Sequence, residues 1–105
     1  MALVSAGKLS QLPPDSVREV CVGEKIYALC NFSGEITALD GVCLHRGGPL
    51  GHGHVNDGRV VCPWHLWEFD CRTGEYDFDP QLKLATYAVR VDGDDILIEI
   101  PDSRA

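Results

Sequence analysis

Two short cysteine–histidine pairs constrain this chain more than any other feature. Cys43-Leu44-His45 and Cys62-Pro63-Trp64-His65 are separated by sixteen residues, 46 to 61. Turn-forming residues accompany each pair: Gly47-Gly48-Pro49 follows the first, and Pro63 lies within the second. Two such loops, each giving one soft thiolate and one imidazole, make a four-ligand metal site. A single tetrahedral zinc accepts two cysteines and two histidines. A two-iron, two-sulfide cluster also takes four protein ligands, because bridging sulfides fill half of each iron's tetrahedron. Common zinc modules pair like with like, as Cys-x2-Cys followed by His-x3-5-His. Here each loop mixes the two ligand types. If the loops face each other, the cysteines can share one iron and the histidines the other.

The rest of the chain suits a small domain built around that site. Its 105 residues allow one domain with a modest core. Five cysteines is an odd count and argues against a full disulfide framework. The start, "MALVSAGKLSQLPPD", has no basic segment followed by an apolar run, so no secretory signal is expected. The expected compartment is a reducing cytoplasm, where cysteines serve as metal ligands or plain thiols. No run approaches the roughly 18 apolar residues of a membrane span. A formal charge of -7 disfavours nucleic acid, and suits either a basic protein partner or simple solubility.

The apolar pattern is short and alternating, with no sustained helical period. In "KIYALCNF", Ile26, Ala28, Cys30 and Phe32 share one face, and Tyr27, Leu29 and Asn31 the other. "EITALD" follows after Ser33-Gly34, which reads as a hairpin turn. "LATYAVRVDGDDILIEI" predicts two strands around Asp92-Gly93-Asp94, with Tyr87, Val89 and Val91 alternating on the first. Leu97 between Ile96 and Ile98 predicts burial on both faces of the second. Asn56-Asp57-Gly58 and Thr73-Gly74 read as further turns, and Pro13-Pro14 blocks regular structure. The expectation is an all-β antiparallel sandwich or barrel of about eight short strands. A basal part (1–40 and 73–105) would carry a metal-binding insertion over about 41–72.

Cys43-Leu44-His45-Arg46-Gly47-Gly48 and Cys62-Pro63-Trp64-His65 together resemble the two cluster-binding boxes of Rieske iron–sulfur proteins. The likeness continues through "LWEFDCRTGE" and into the final hairpin, so it covers most of the chain. It implies one [2Fe-2S] cluster per chain and a small cluster-binding subdomain. In Rieske centres two histidines replace two cysteines on one iron. Carried over, Cys43 and Cys62 hold the inner iron, and His45 and His65 the outer one near the surface. Two ferric ions, two sulfides and two thiolates sum to zero charge. Neutral imidazoles therefore make adding an electron easier than in all-cysteine clusters. Ferric iron acidifies its imidazoles, which predicts a potential that falls as pH rises through that ionisation.

Within the family, respiratory-chain members carry an extra loop-tying disulfide. Its positions here are Gly48 and Trp64, so that bridge cannot form. Those members also place cluster-facing serine and tyrosine hydroxyls where this chain has Trp67 and Phe69. Fewer hydrogen bonds to sulfur predict a potential near the low end of the range, about -150 mV. The pattern is similar to soluble ferredoxins of aromatic-ring dioxygenase systems and to the small subunit of NAD(P)H nitrite reductase. The first implies an electron carrier between a flavin-dependent reductase and a terminal oxygenase, the second a subunit of a larger reductase. A structural zinc module is the remaining alternative. No mononuclear-iron triad and no Gly-x-Gly-x-x-Gly fingerprint after a strand appears, so no catalysis by the chain itself is expected.

Several residues have plain readings beside functional ones. Cys21, Cys30 and Cys71 read as ordinary thiols, with Cys30 buried. His52 and His54 read as solvated loop residues. Trp64 and Trp67 would shield the cluster or simply pack. Gly47, Gly48, Gly51 and Gly53 would allow close backbone approach to cluster sulfurs. Pro80 resembles the proline of a third loop covering the cluster, or is a turn proline. Leu66 stands where many relatives have glycine, beside His65, and would reshape a docking tip.

Overall fold

The computed structural model describes residues 2–44, 47–64 and 66–100. Among the described residues the strands are β1 (Ala2–Lys8), β2 (Ser16–Val22), β3 (Lys25–Phe32), β4 (Glu35–Asp40), β5 (His54–Asn56), β6 (Arg59–Val61), β7 (Glu68–Asp70), β8 (Glu75–Tyr76), β9 (Asp79–Lys83), β10 (Thr86–Tyr87), β11 (Val89–Asp92) and β12 (Asp95–Ile100). They form three sheets, ordered β10-β4-β3-β2, β1-β12-β11 and β5-β6-β7-β8-β9. All pairings are antiparallel.

The four-stranded sheet is the middle layer, because its central strand buries both faces. Tyr27 to Asn31 of β3 are all buried. Ala28 and Cys30 join a core with Leu50, Val60, Phe69 and Leu84. Tyr27 and Leu29 join a second core with Ala6, Leu12, Ile96 and Ile98. The alternation expected from "KIYALCNF" is therefore present, but its two faces feed two cores and neither meets water. The next strand divides likewise, Leu39 to the first core and Ala38 to the second.

Turn chemistry sets the hairpin registers. Ser33 and Gly34 both have positive φ (52° and 95°), the mirror-type turn that matches strand twist. Asp57 and Gly58 repeat this (52° and 79°) between β5 and β6. Buried Asn31 is satisfied on both sides of its amide. Its Nδ2 donates to the Leu12 carbonyl at 2.8 Å, and its Oδ1 accepts the Gly34 N–H at 2.8 Å.

Two expectations need correction. The segment from Thr86 to Val91 is not one strand: β10 pairs with β4, and the chain then changes sheets at Ala88 so that β11 pairs with β12. Asp40 anchors this switch. It accepts the Tyr87 hydroxyl at 2.6 Å and the Ala85 N–H at 3.2 Å. The strands also exceed the eight foreseen. β1 carries a register irregularity between Ser5 and Gly7, and β2 lacks clean alternation, so neither announces itself by period. Leu97 is partly buried, between fully buried Ile96 and Ile98.

The third sheet runs from His54 to Lys83, past residue 72, and supports the loops that carry the cysteines. The short 3-10 turn Leu50–His52 lies on β2 so closely that a Cβ on Gly51 would sit 2.4 Å from the Glu19 Cα.

Candidate metal centre

Both cysteine loops are built on one plan. The first is rooted by the bridge between Val42 and Pro49, the second by the pairing of Val61 with Glu68. In the first, the Cys43 N–H donates to the Gly48 carbonyl at 2.9 Å. In the second, the Cys62 N–H donates to the Trp67 carbonyl at 2.8 Å. Each closure thus joins the cysteine to the carbonyl five residues on, and the histidine of each pair falls inside the closed span. His45, Arg46 and His65 themselves lie outside the described residues.

The loops bring the two thiols together. Cys43 is 3% exposed and Cys62 0% exposed, within one core cluster. Burial pushes the Cys62 thiol up; a backbone hydrogen bond from Trp64 pulls it back in part, and the neighbouring Cys43 thiol pushes it up again. Two adjacent buried thiols ionise poorly unless a cation takes their charge. A metal group between them fits that requirement. Gly48 permits the meeting of the loops: a Cβ there would lie 2.6 Å from the Cys62 Sγ and 3.1 Å from the Trp64 Cγ.

The other singled-out residues fall in different places. Gly51 and Gly53 do allow close approach, but to the Glu19 backbone and the Val61 carbonyl, not to the thiols. Trp64 packs on Gly48 and stays half-exposed. Trp67 stacks on Tyr76 with ring centroids 3.9 Å apart, against the buried Phe69. Pro80 is exposed in β9, in a groove with Arg59, Tyr76 and Asp77 that neither cysteine lines. His52 is exposed and pairs with Glu19 at 3.2 Å, and His54 is exposed on β5. Cys21 is exposed, whereas Cys30 and Cys71 are buried beside each other. Sequence reasoning missed Tyr76 as the support of Trp67; the aromatic alternation in "EYDF" was its available signal. It also missed that Leu66 has φ +60°.

Comparison with known proteins agrees with this geometry. The Rieske [2Fe-2S] domain matches residues 2–88. The ferredoxin component of the naphthalene 1,2-dioxygenase system of Pseudomonas aeruginosa is 31% identical over 98 residues, covering 92% of this chain and 94% of that one. The 3-phenylpropionate/cinnamic acid dioxygenase ferredoxin subunit of Escherichia coli (strain K12) is 35% identical over 81 residues, 75% of this chain and 76% of its own. Among solved structures, the ferredoxin of carbazole 1,9a-dioxygenase from Nocardioides aromaticivorans IC177 superposes with a TM-score of 0.83. It is 27% identical and covers 93% of this chain and 97% of its own. This chain belongs to the Rieske [2Fe-2S] family and carries one [2Fe-2S] cluster, the cofactor of an electron carrier. Among the described residues, no helix is long and apolar enough to cross a membrane.

Proposed function

We propose that this chain carries single electrons from a flavin-dependent reductase to a terminal oxygenase, in the cytoplasm, and does no bond chemistry itself. Cys43, His45, Cys62 and His65 are the ligands in this reading, the cysteines on one iron and the histidines on the other. The observation that carries it is the meeting of the buried Cys43 and Cys62 thiols from two identically closed loops, each containing one histidine. Bound there, the cluster supplies a store for one electron. The chain's own residues hold the two thiols away from water, and the hydrogen-bonded roots fix where they point. The dioxygenase systems to which its ferredoxin relatives belong support an oxygenase as the acceptor; the reductase is the electron source that such a carrier needs.

Metal analysis of the purified protein tests the reading. Two irons and two acid-labile sulfides per chain are expected from a [2Fe-2S] site, together with bleaching by NADH and a reductase. Cys43→Ser, Cys62→Ser, His45→Ala and His65→Ala should each lose the cluster or its normal spectrum. His52→Ala and His54→Ala should keep it. Retention of the full spectrum by either histidine-ligand variant, or a colourless protein with one zinc, overturns the assignment. Stable co-purification with a large reductase would instead make the chain a fixed subunit, as in an NAD(P)H nitrite reductase.

A further inference from the structure

The shared plan of the two loops demands a left-handed residue at the same place in each. The residue just before the closing carbonyl has φ +74° at Gly47 and +60° at Leu66. Glycine adopts that conformation freely. For leucine it is unfavourable, because the Cβ crowds the following carbonyl. Interior packing does not account for the choice: Leu66 is 65% exposed. An exposed apolar side chain held at a conformational cost contributes little to the fold, so its use lies outside the chain.

Phe78 is a second exposed apolar side chain, tied to the same loop. The Asp77 N–H donates to the Glu68 carbonyl at 3.0 Å, which ties the β8–β9 turn to the root of the second loop. The Tyr76 ring then lies between Trp67 and Phe78, with centroids 3.9 and 5.8 Å away. Phe78 is 84% exposed. Asp77 beside it is paired with Arg59 at 3.1 Å. The net charge of -7 favours encounter with a basic partner surface. Leu66 lies within the Cys62–Trp67 span, so a protein that docks on this loop to exchange electrons with a group on Cys62 meets it.

We propose that Leu66 is the specificity-determining contact of this chain for its redox partner, with Phe78 as a second contact. The partner presents an apolar recess bordered by lysine and arginine next to its own redox cofactor. This inference rests on the electron-carrier reading. The test uses cluster-loaded wild-type protein, Leu66→Gly, Leu66→Met and Phe78→Ser. The probe is the NADH-dependent reductase purified from the source cells by its bleaching of the wild-type cluster. Dithionite serves as a reductant that needs no docking. Leu66→Gly is expected to keep full iron and dithionite reduction, with a thermal midpoint equal to or above wild type. Its KM as reductase substrate should rise about tenfold with kcat little changed. Leu66→Met should restore the wild-type KM, and Phe78→Ser should raise it. An unchanged KM in Leu66→Gly, or a lowered thermal midpoint, overturns the role of Leu66 while leaving the carrier reading intact. A wild-type cluster that dithionite reduces but no reductase bleaches removes both.

Discussion

Gly48 and Cys62 meet across the two loops so closely that a Cβ on Gly48 would stand 2.6 Å from the Cys62 Sγ. The backbone of Gly48 is not in the left-handed region, so the penalty for a side chain there is contact alone. Gly48→Ala should therefore force the loops apart and destabilise the protein by about 1–3 kcal/mol. Iron and sulfide content per chain should fall with the thermal midpoint. An alanine variant with wild-type cluster content and midpoint would show that the loops can yield there.

The cysteines differ sharply in reactivity. The Cys71 thiol beside it and then burial push the Cys30 thiol well up, and Cys71 is itself buried. Cys43 and Cys62 are buried as well, and only Cys21 among the five is exposed. Reactivity follows thiolate fraction and access. A maleimide should label the native, cluster-loaded protein once per chain, at Cys21, and Cys21→Ser should abolish that labelling. Unfolding in a chelator should expose all five thiols. Mass spectrometry of the labelled chain decides the matter.

Asp40 predicts an alkaline limit to stability. It pairs with Lys25 at 3.1 Å and accepts the Tyr87 hydroxyl at 2.6 Å. The hydrogen bond to Asp40 raises the Lys25 pKa, and burial followed by that carboxylate raises the Tyr87 pKa. A group whose folded pKa is raised stabilises fully below its unfolded pKa and loses that contribution as pH climbs through the folded one. Both groups titrate ordinarily near pH 10 in unfolded chains, so stability should fall above about pH 10. Asp40→Ala should be less stable at pH 8 by about 1–3 kcal/mol and should show a flatter alkaline decline. Thermal midpoints between pH 8 and pH 11 give both readings, and parallel curves for the two proteins would dismiss this role.

The reduction potential should be low for this class of cluster. Trp67 is stacked on Tyr76 and Phe69 is fully buried, so these two positions bring no hydroxyl to the centre. Fewer donors leave the reduced, more negative state less stabilised. Potentiometric titration should place the midpoint near -150 mV. A midpoint above about +100 mV would mean that other residues supply the missing donors.

The meeting of the two cysteines was more legible in the sequence than the fold around it. Ligand type and spacing are written in the residue names, so Cys43 and Cys62 could be paired before any geometry was known. The faces of "KIYALCNF" were legible too, because alternation records which side chains point together. What alternation does not record is whether water or a second layer covers the other face, and here a second core covers it. Glycine is ambiguous in the same way. Gly48 and Gly51 both mark close contact, yet one meets a thiol and the other a neighbouring strand. The left-handed conformation of Leu66 is not written in leucine itself, which rarely adopts it; the one hint was the glycine that many relatives carry there.

Because each cysteine loop is tied at its root by its own hydrogen bond, the two cysteines sit on a braced frame. A frame of that kind changes shape little when one unit of charge enters or leaves it, so little energy is lost to reorganisation at the moment of transfer. Turnover in such a molecule is governed by how often and how closely a partner seats on it, and the surface rather than the interior becomes the place where natural variation can tune speed.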